Sequence, residues 1–263
     1  DMRAGNDMPG RITRIPGGVA MNIAMTLARF GLRPVLLSAL GRDAAGDELV
    51  KAAQDMGLVT DHIYRSARPT DAYMAIEGAN GLIAAIADAH SLEEAGDAIV
   101  SSLRDGTLGS TDAPYTGCIA LDGNLTEALL EQIALDPAFS KADLRVAPAS
   151  PGKAERLRAV IRHKGATLYV NLEEAELISG ARRLRTAKDG AKALLDAGAQ
   201  RVIVTHGSQT ACDACASDIY EAAPPPVVAK RITGAGDTFM AAHIAAELQG
   251  RSRANAIEFA QKT

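Results

Sequence analysis

With 263 residues, the chain is long enough for one large α/β domain with a well-buried core. A formal net charge of −4 supplies no basic field of the kind nucleic-acid binders carry, and 3% aromatics with no tryptophan argue against a base-stacking platform. No secretory leader and no apolar run of about 18 residues is visible, which predicts a soluble, cytoplasmic protein.

Along the chain, strand and helix signals alternate. Asn22 to Phe30 has helical apolar spacing and closes at Gly31, and Pro34 to Leu40 reads as a buried strand. Asp47 to Met56 is a helix ended by Gly57. Tyr64–Arg68 and Ala72–Ile76 are short strands, the second turning at 78–81 into Leu82–Ile86. Helices are then expected over Leu92–Leu103, Glu127–Ala134, Lys153–Arg162, Glu174–Ser179 and Thr186–Ala197. Strands are expected over Gly117–Leu121, Leu144–Ala147, Thr167–Val170 and Val202–Thr205. Pro224-Pro225-Pro226 leads into an extended Val227–Ala229, and an apolar stripe from Phe239 to Leu248 stops at Gly250. Short apolar strands separated by helices of about ten residues mark a doubly wound, mostly parallel sheet with helices on both faces. No linker or repeat divides the chain, so one catalytic domain over 1–263 is expected, with a small β lid formed around 60–90.

The cysteines are Cys118, Cys212 and Cys215. Cys212-Asp213-Ala214-Cys215 has half of a zinc-ligand spacing, but no second pair completes it, and a surface turn with two reduced thiols is the expectation. Cys118 sits in an apolar run and reads as a small core residue.

The chemistry concentrates in Thr233-Gly234-Ala235-Gly236-Asp237-Thr238-Phe239. Small residues at a helix start let backbone N–H groups converge where the helix dipole also favours an anion, so Gly234, Ala235 and Gly236 form a candidate phosphoryl cradle. Asp237 on the same turn is placed to take a proton from a hydroxyl attacking that phosphorus. A helix cap is the plainer alternative for its carboxylate.

Other motifs join it. Gly17 and Gly18 permit close backbone approach to a polyhydroxylated ligand, and Asn22 offers a donor and an acceptor to its hydroxyls. Asn171 and Glu174 are spaced to converge at a helix start, with an N-cap and its N3 partner as the structural alternative. Asp43 suits an Asx turn better than a substrate contact. Lys153 opens a helix where a cation could reach phosphate oxygens, although a solvated surface lysine is the more ordinary reading.

Taken in order, Gly17-Gly18-Val19-Ala20-Met21-Asn22, Gly41-Arg42-Asp43-Ala44-Ala45-Gly46, Asn171-Leu172-Glu173-Glu174, Val204-Thr205-His206-Gly207 and Gly234-Ala235-Gly236-Asp237 resemble the signatures of the ribokinase-like (PfkB) kinases of carbohydrates and nucleosides. The resemblance runs from about residue 11 to the last residue. It implies a ribokinase-like fold, ATP and Mg2+ as cofactors, Asp237 as base, and Gly17, Gly18 and Asn22 on the substrate. It also implies Asn171, Glu174, Thr205, Gly207, Gly234 and Gly236 on the nucleotide side, with Glu174 reaching the metal through water. Relatives begin with a strand carrying a substrate-binding Asp and end in an adenine-side helix, so both termini read as incomplete. Arg231-Ile232-Thr233 replaces the Asp-Thr pair that supports a monovalent-cation loop in many relatives, and potassium activation is not expected.

Pro16–Ala24, Leu82–Asp88, Leu121–Leu125 and Pro148–Lys153 are similar to the pseudouridine kinase subgroup. That similarity implies phosphorylation of a nucleoside 5′-hydroxyl, with a sugar kinase as the alternative and a non-catalytic binding relative as a third reading. A dinucleotide-binding oxidoreductase fails, because no third glycine follows Gly234-Ala235-Gly236. No nucleic-acid or membrane partner is expected, and a homodimer through the lid is.

Overall fold

A computed structural model describes residues 10–78, 81–226 and 234–263. The expected extended run Val227–Ala229, the 79–80 turn and Arg231–Thr233 fall outside the described residues.

Helix α1 (Val19–Arg29) starts at Gly18, whose φ of 104 suits glycine, and shares an apolar cluster with Leu36, ahead of strand β1 (Ala39–Gly41), and with Ala53 of helix α2 (Ala44–Asp55). The Pro34–Leu40 segment is not a full strand. Only Val35 bridges Val59 before β1 pairs in parallel with β2 (Tyr64–Ser66), a partner three residues long. Strands β3 (Tyr73–Gly78) and β4 (Gly81–Ala87) form the expected antiparallel hairpin.

The expected helix over Leu92–Leu103 is broken at Gly96 (φ 52) into α3 (His90–Ala95) and a 3₁₀ segment Gly96–Leu103. Strand β5 (Cys118–Asp122), helix α4 (Glu127–Leu135) and strand β6 (Asp143–Ala147) follow as expected. The segment after β6 is a 3₁₀ helix over Pro151–Ala159, tighter than the α-helix that its apolar spacing suggested. Then come β7 (Ala166–Asn171), α5 (Leu172–Ser179), α6 (Ala187–Asp196) and β8 (Arg201–His206).

The clearest correction concerns the two cysteines. Cys212 and Cys215 lie in strand β9 (Gln209–Cys215), which pairs antiparallel with β8 and with β10 (Ile219–Ala222), not on a surface turn. Cys212, Asp213 and Ala214 are all buried, so the strand is held by burial on both faces. Helices α7 (Ala235–Leu248) and α8 (Arg253–Gln261) close the chain.

The main sheet has the order β10-β9-β8-β7-β6-β5, with β5 to β8 parallel. Side-chain alternation divides its core. Leu168, Val170, Val202 and Val204 face α4, α5 and α6, whereas Tyr169 and Ile203 face Met240 and Ile244 of α7 and Ile257 of α8. Burial on both faces is what a parallel sheet with crossover helices requires.

The amino ends of β6 and β8 carry a buried ionic network. Arg145 bonds the Tyr169 hydroxyl and Glu247, Arg201 bridges Asp213 (2.7 Å) and Glu247 (2.6 Å), and Arg253 also reaches Asp213 (2.6 Å). It ties the last turn of α7 to the start of the strands. Helix α7 therefore runs back across the sheet and delivers its first turn to the strands' carboxyl edge.

Candidate active site

In an open α/β sheet, ligands settle at the carboxyl ends of the strands. Here that edge collects Asp122 from β5, Asn171 from β7, Thr205 from β8 and the first turn of α7. Asn171 and Thr205 are register partners in the β7–β8 ladder, and Gly207 (φ 54) lies just beyond in the turn to β9.

Gly234 precedes α7 in the left-handed region (φ 83), and no side chain caps the helix. The first helical bond is Thr238 N–H to Gly234 O at 3.0 Å, which leaves the N–H groups of Ala235, Gly236 and Asp237 without helical acceptors. Among the described residues, a side chain on Gly236 would meet nothing within 4 Å. The small-residue turn expected to serve as an anion cradle thus opens α7 with three N–H groups that have no helical acceptor.

Asp237 does not act as the cap. Its Oδ2 instead accepts a hydrogen bond of 2.8 Å from Asn22 Nδ2. Asn22 sits one turn into α1, whose own start at Gly17 and Gly18 is exposed, with no atom within 4 Å of where a side chain would project. The expected acceptor segment and the expected base are thus joined directly. Burial raises the proton affinity of Asp237, the Asn22 N–H opposes that rise, and the negative charge of Asp122 adds to it.

Asn171 and Glu174 form a reciprocal capping box. Asn171 Oδ1 accepts from Glu174 N–H (2.9 Å) and Glu174 Oε2 from Asn171 N–H (2.8 Å). Capping and metal handling are compatible, because Glu174 Oε1 makes no hydrogen bond among the described residues. Glu174 is 7% exposed. Burial raises its carboxyl's proton affinity, which a nearby cation would reverse. An oxygen set of this kind fits Mg2+, a hard ion that keeps most of its waters.

Asp43 is not free for substrate. It caps α2 through Gly46 N–H (2.8 Å) and binds the Thr70 N–H (2.8 Å) and hydroxyl (2.5 Å), with the Thr70 hydroxyl foremost in holding its carboxyl at about 2. It fastens the segment leading into the β3–β4 hairpin.

Sequence reasoning missed Asp122, at 9% exposure one of the few buried carboxylates. Its sequence signals were its place at the end of an apolar strand and inside the Leu121–Leu125 segment, neither of which marks it as a site residue. Among the described residues, one trio could share a metal ion, Asp213, His243 and Glu247, with ligand atoms within 4.8 Å of one another. It lies at the opposite sheet edge, and three guanidinium groups already neutralise its carboxylates, so a cation there would meet uncompensated positive charge.

A family model described as "pfkB family carbohydrate kinase" matches residues 4–263. Pseudouridine kinase of Escherichia coli is 29% identical over 96% of this chain and 80% of its own length, and an uncharacterized sugar kinase of the same organism is 28% identical over 96% and 68%. A carbohydrate kinase from Agrobacterium tumefaciens superposes with a TM-score of 0.81 at 25% identity, covering 99% of this chain and 82% of that one. Ribokinase of Arabidopsis thaliana, solved with ribose and ATP, gives 0.75 at 20% identity, covering 93% and 78%. No helix among the described residues is long and apolar enough to cross a membrane.

Proposed function

The chain belongs to the pfkB family of carbohydrate kinases, and from that premise we propose that it phosphorylates the 5′-hydroxyl of a nucleoside, pseudouridine, with ATP and Mg2+. As a member of that family it is a phosphotransferase acting on hydroxyl groups. The observation that carries the proposal is the 2.8 Å bond from Asn22 to Asp237, which sets the acceptor segment of α1 against the base at the mouth of the anion cradle.

In the proposed reaction the substrate ribose lies along Gly17, Gly18 and Asn22. Its 5′-oxygen attacks the γ-phosphorus, the bond from that phosphorus to the β-bridging oxygen breaks, and ADP leaves. The hydroxyl proton passes to Asp237. The N–H groups of Ala235, Gly236 and Asp237 hold the transferring oxygens. Thr205 and Gly207 would line the nucleotide, and Glu174, with Asn171, would hold Mg2+ through water. When bound, that ion neutralises phosphate charge.

The β3–β4 hairpin serves as the lid. Tyr73 and Met74 point to opposite faces and are 63% and 59% exposed, so at these positions neither face is covered by the described residues. One face is assigned to the substrate base and the other to the hairpin of a second copy. The reaction is placed in the cytoplasm, where ATP is abundant.

The similarity to the E. coli sugar kinase supports the second reading, a free sugar as acceptor. ATP-consumption assays with pseudouridine, uridine, ribose and fructose decide between them. Pseudouridine differs from uridine chiefly by an extra N–H. A site that bonds this group can reject uridine by about 10⁴ or more, whereas shape alone gives roughly 10–200-fold. Higher catalytic efficiency with either free sugar overturns the nucleoside assignment and leaves the kinase.

A further inference from the structure

Between the acceptor side of the site, at β5 and α1, and its nucleotide side, at β7, lies the carboxyl end of β6. The residue presented there is Lys153, on the 3₁₀ helix that follows β6. It is the one lysine among the described residues that is half-buried rather than exposed. Its only side-chain hydrogen bond among those residues runs from Nζ to the neutral Asn124 Oδ1, at 2.6 Å. The expectation of a solvated surface lysine fails here: the half-buried ammonium makes no ion pair among the described residues, and the Asp122 carboxylate feels its charge without bonding it.

The surroundings are built to hold it. Asn124 follows Asp122, whose Oδ1 accepts from Asn124 N–H at 2.7 Å. Arg156 Nη1 reaches the carbonyls of Gly123, Asn124 and Leu125 at 3.2, 3.4 and 3.2 Å. The loops after β5 and β6 touch so closely that a side chain on Gly123 would strike Pro148 O. Ala149 is held at φ 70, a strained conformation for a residue with a Cβ and one that persists where the surroundings dictate it. Arg156 is committed to these carbonyls and to Glu93, which leaves Lys153, among the described residues, as the available cation at this end of the sheet.

We propose that Lys153 is a catalytic residue whose ammonium, positioned by Asn124, binds the non-bridging oxygens of the phosphoryl group during its transfer. The proposal rests on the kinase reading above. The strand order supplies its geometry, since a group passing from the β7 side to the β5 side crosses the end of β6. The charge balance supplies its reason. Asp122, Glu174 and Asp237 line the same edge, and a triphosphate entering it needs a fixed cation that strengthens its hold as charge develops.

The test compares Lys153→Met, Lys153→Arg and Asn124→Ala with the wild-type enzyme. Lys153→Met should lower kcat on the order of 10²–10³-fold while changing the KM of ATP and acceptor by less than about threefold. Lys153→Arg should recover at least about a tenth of the lost rate, because the charge returns in a different shape. Calorimetric titration with MgADP, alone and with tetrafluoroaluminate as a mimic of the phosphoryl group in flight, gives a readout that needs no acceptor. The methionine variant should bind MgADP normally and lose the tightening that the fluoride complex confers. Unchanged tightening, or a kcat within about threefold of wild type, overturns the role. So does equal loss of rate and melting temperature in Asn124→Ala and Lys153→Met, which would mark Lys153 as a loop fastener. Failure of the wild-type protein to bind MgADP overturns the kinase reading itself, a result distinct from any of these.

Discussion

Asn22 Nδ2 donates to Asp237 Oδ2 at 2.8 Å, joining residues 215 positions apart in the chain. The bond fixes the rotamer of the carboxylate proposed as the base, and it aligns the starts of α1 and α7. It also tunes that carboxylate. Asp237 is pulled toward higher proton affinity by burial and by Asp122, and Asn22 is the group that opposes them.

Asn22→Ala therefore shifts the pH profile. Removing the donor leaves only influences that raise the Asp237 pKa, so the base deprotonates at higher pH. The acidic limb of kcat/KM should move to higher pH. A limb that stays in place or moves down would show that the bond does not reach the reacting carboxylate.

Asp237→Asn should lower kcat by about 10²–10⁴-fold, the usual contribution of a positioned base. The amide can still accept from Asn22, so thermal melting and MgADP binding should stay close to wild type. Turnover near the wild-type rate would remove Asp237 from its role.

Glu174→Gln keeps the capping box geometrically possible, since the amide oxygen can still accept from Asn171 N–H. What it removes is charge beside the proposed metal. Half-maximal activity should then require more magnesium, with little change in melting temperature. If melting falls while the magnesium titration is unmoved, Glu174 is a cap alone.

His243 is fully buried in the ionic network, bonded through Nδ1 to the Tyr169 hydroxyl, and burial foremost lowers its pKa from 6.5 to about 4. A histidine with a depressed folded-state pKa stabilises the fold fully above the unfolded value and loses that contribution as pH falls. Stability to denaturant should thus decline between pH 6.5 and about 4, approaching roughly 1.4 kcal/mol per pH unit. His243→Phe should flatten the upper part of that window. In the same network Asp213→Asn should cost about 3–5 kcal/mol at neutral pH, because Arg201 and Arg253 would both lose a buried carboxylate.

If the second face of the lid belongs to another copy, light scattering at assay concentrations should give twice the chain mass. Ile86, 66% exposed and a register partner of Met74, is the position to charge. Ile86→Lys should yield monomers that retain MgADP binding. A wild-type monomer would refute the pairing.

The alternation of strand and helix was legible because its signals are local. Apolar spacing marked α2, α4, α6 and α7, and the Asn171–Glu174 spacing announced a capping box that the structure contains. Strand β9 was hidden, because an Asp between two cysteines imitates a turn. Its carboxylate is buried only because Arg201 and Arg253, 12 and 40 residues away, neutralise it. The 3₁₀ form of 151–159 was equally illegible, because apolar spacing marks a helix there without fixing how tightly it winds.

By itself the sequence determined the small-residue turn before α7, the carboxylate upon it and the glycines ahead of Asn22. Those properties depend on backbone freedom and on neighbours within a helical turn. Only the tertiary structure decided that Asn22 meets Asp237, that Asp122 lies close enough to influence it, and that Lys153 is half-buried beside Asn124 rather than solvated. Each is a meeting of residues distant in the chain, brought together by sheet order and helix packing, and burial then sets their charge, which no spacing along a chain encodes.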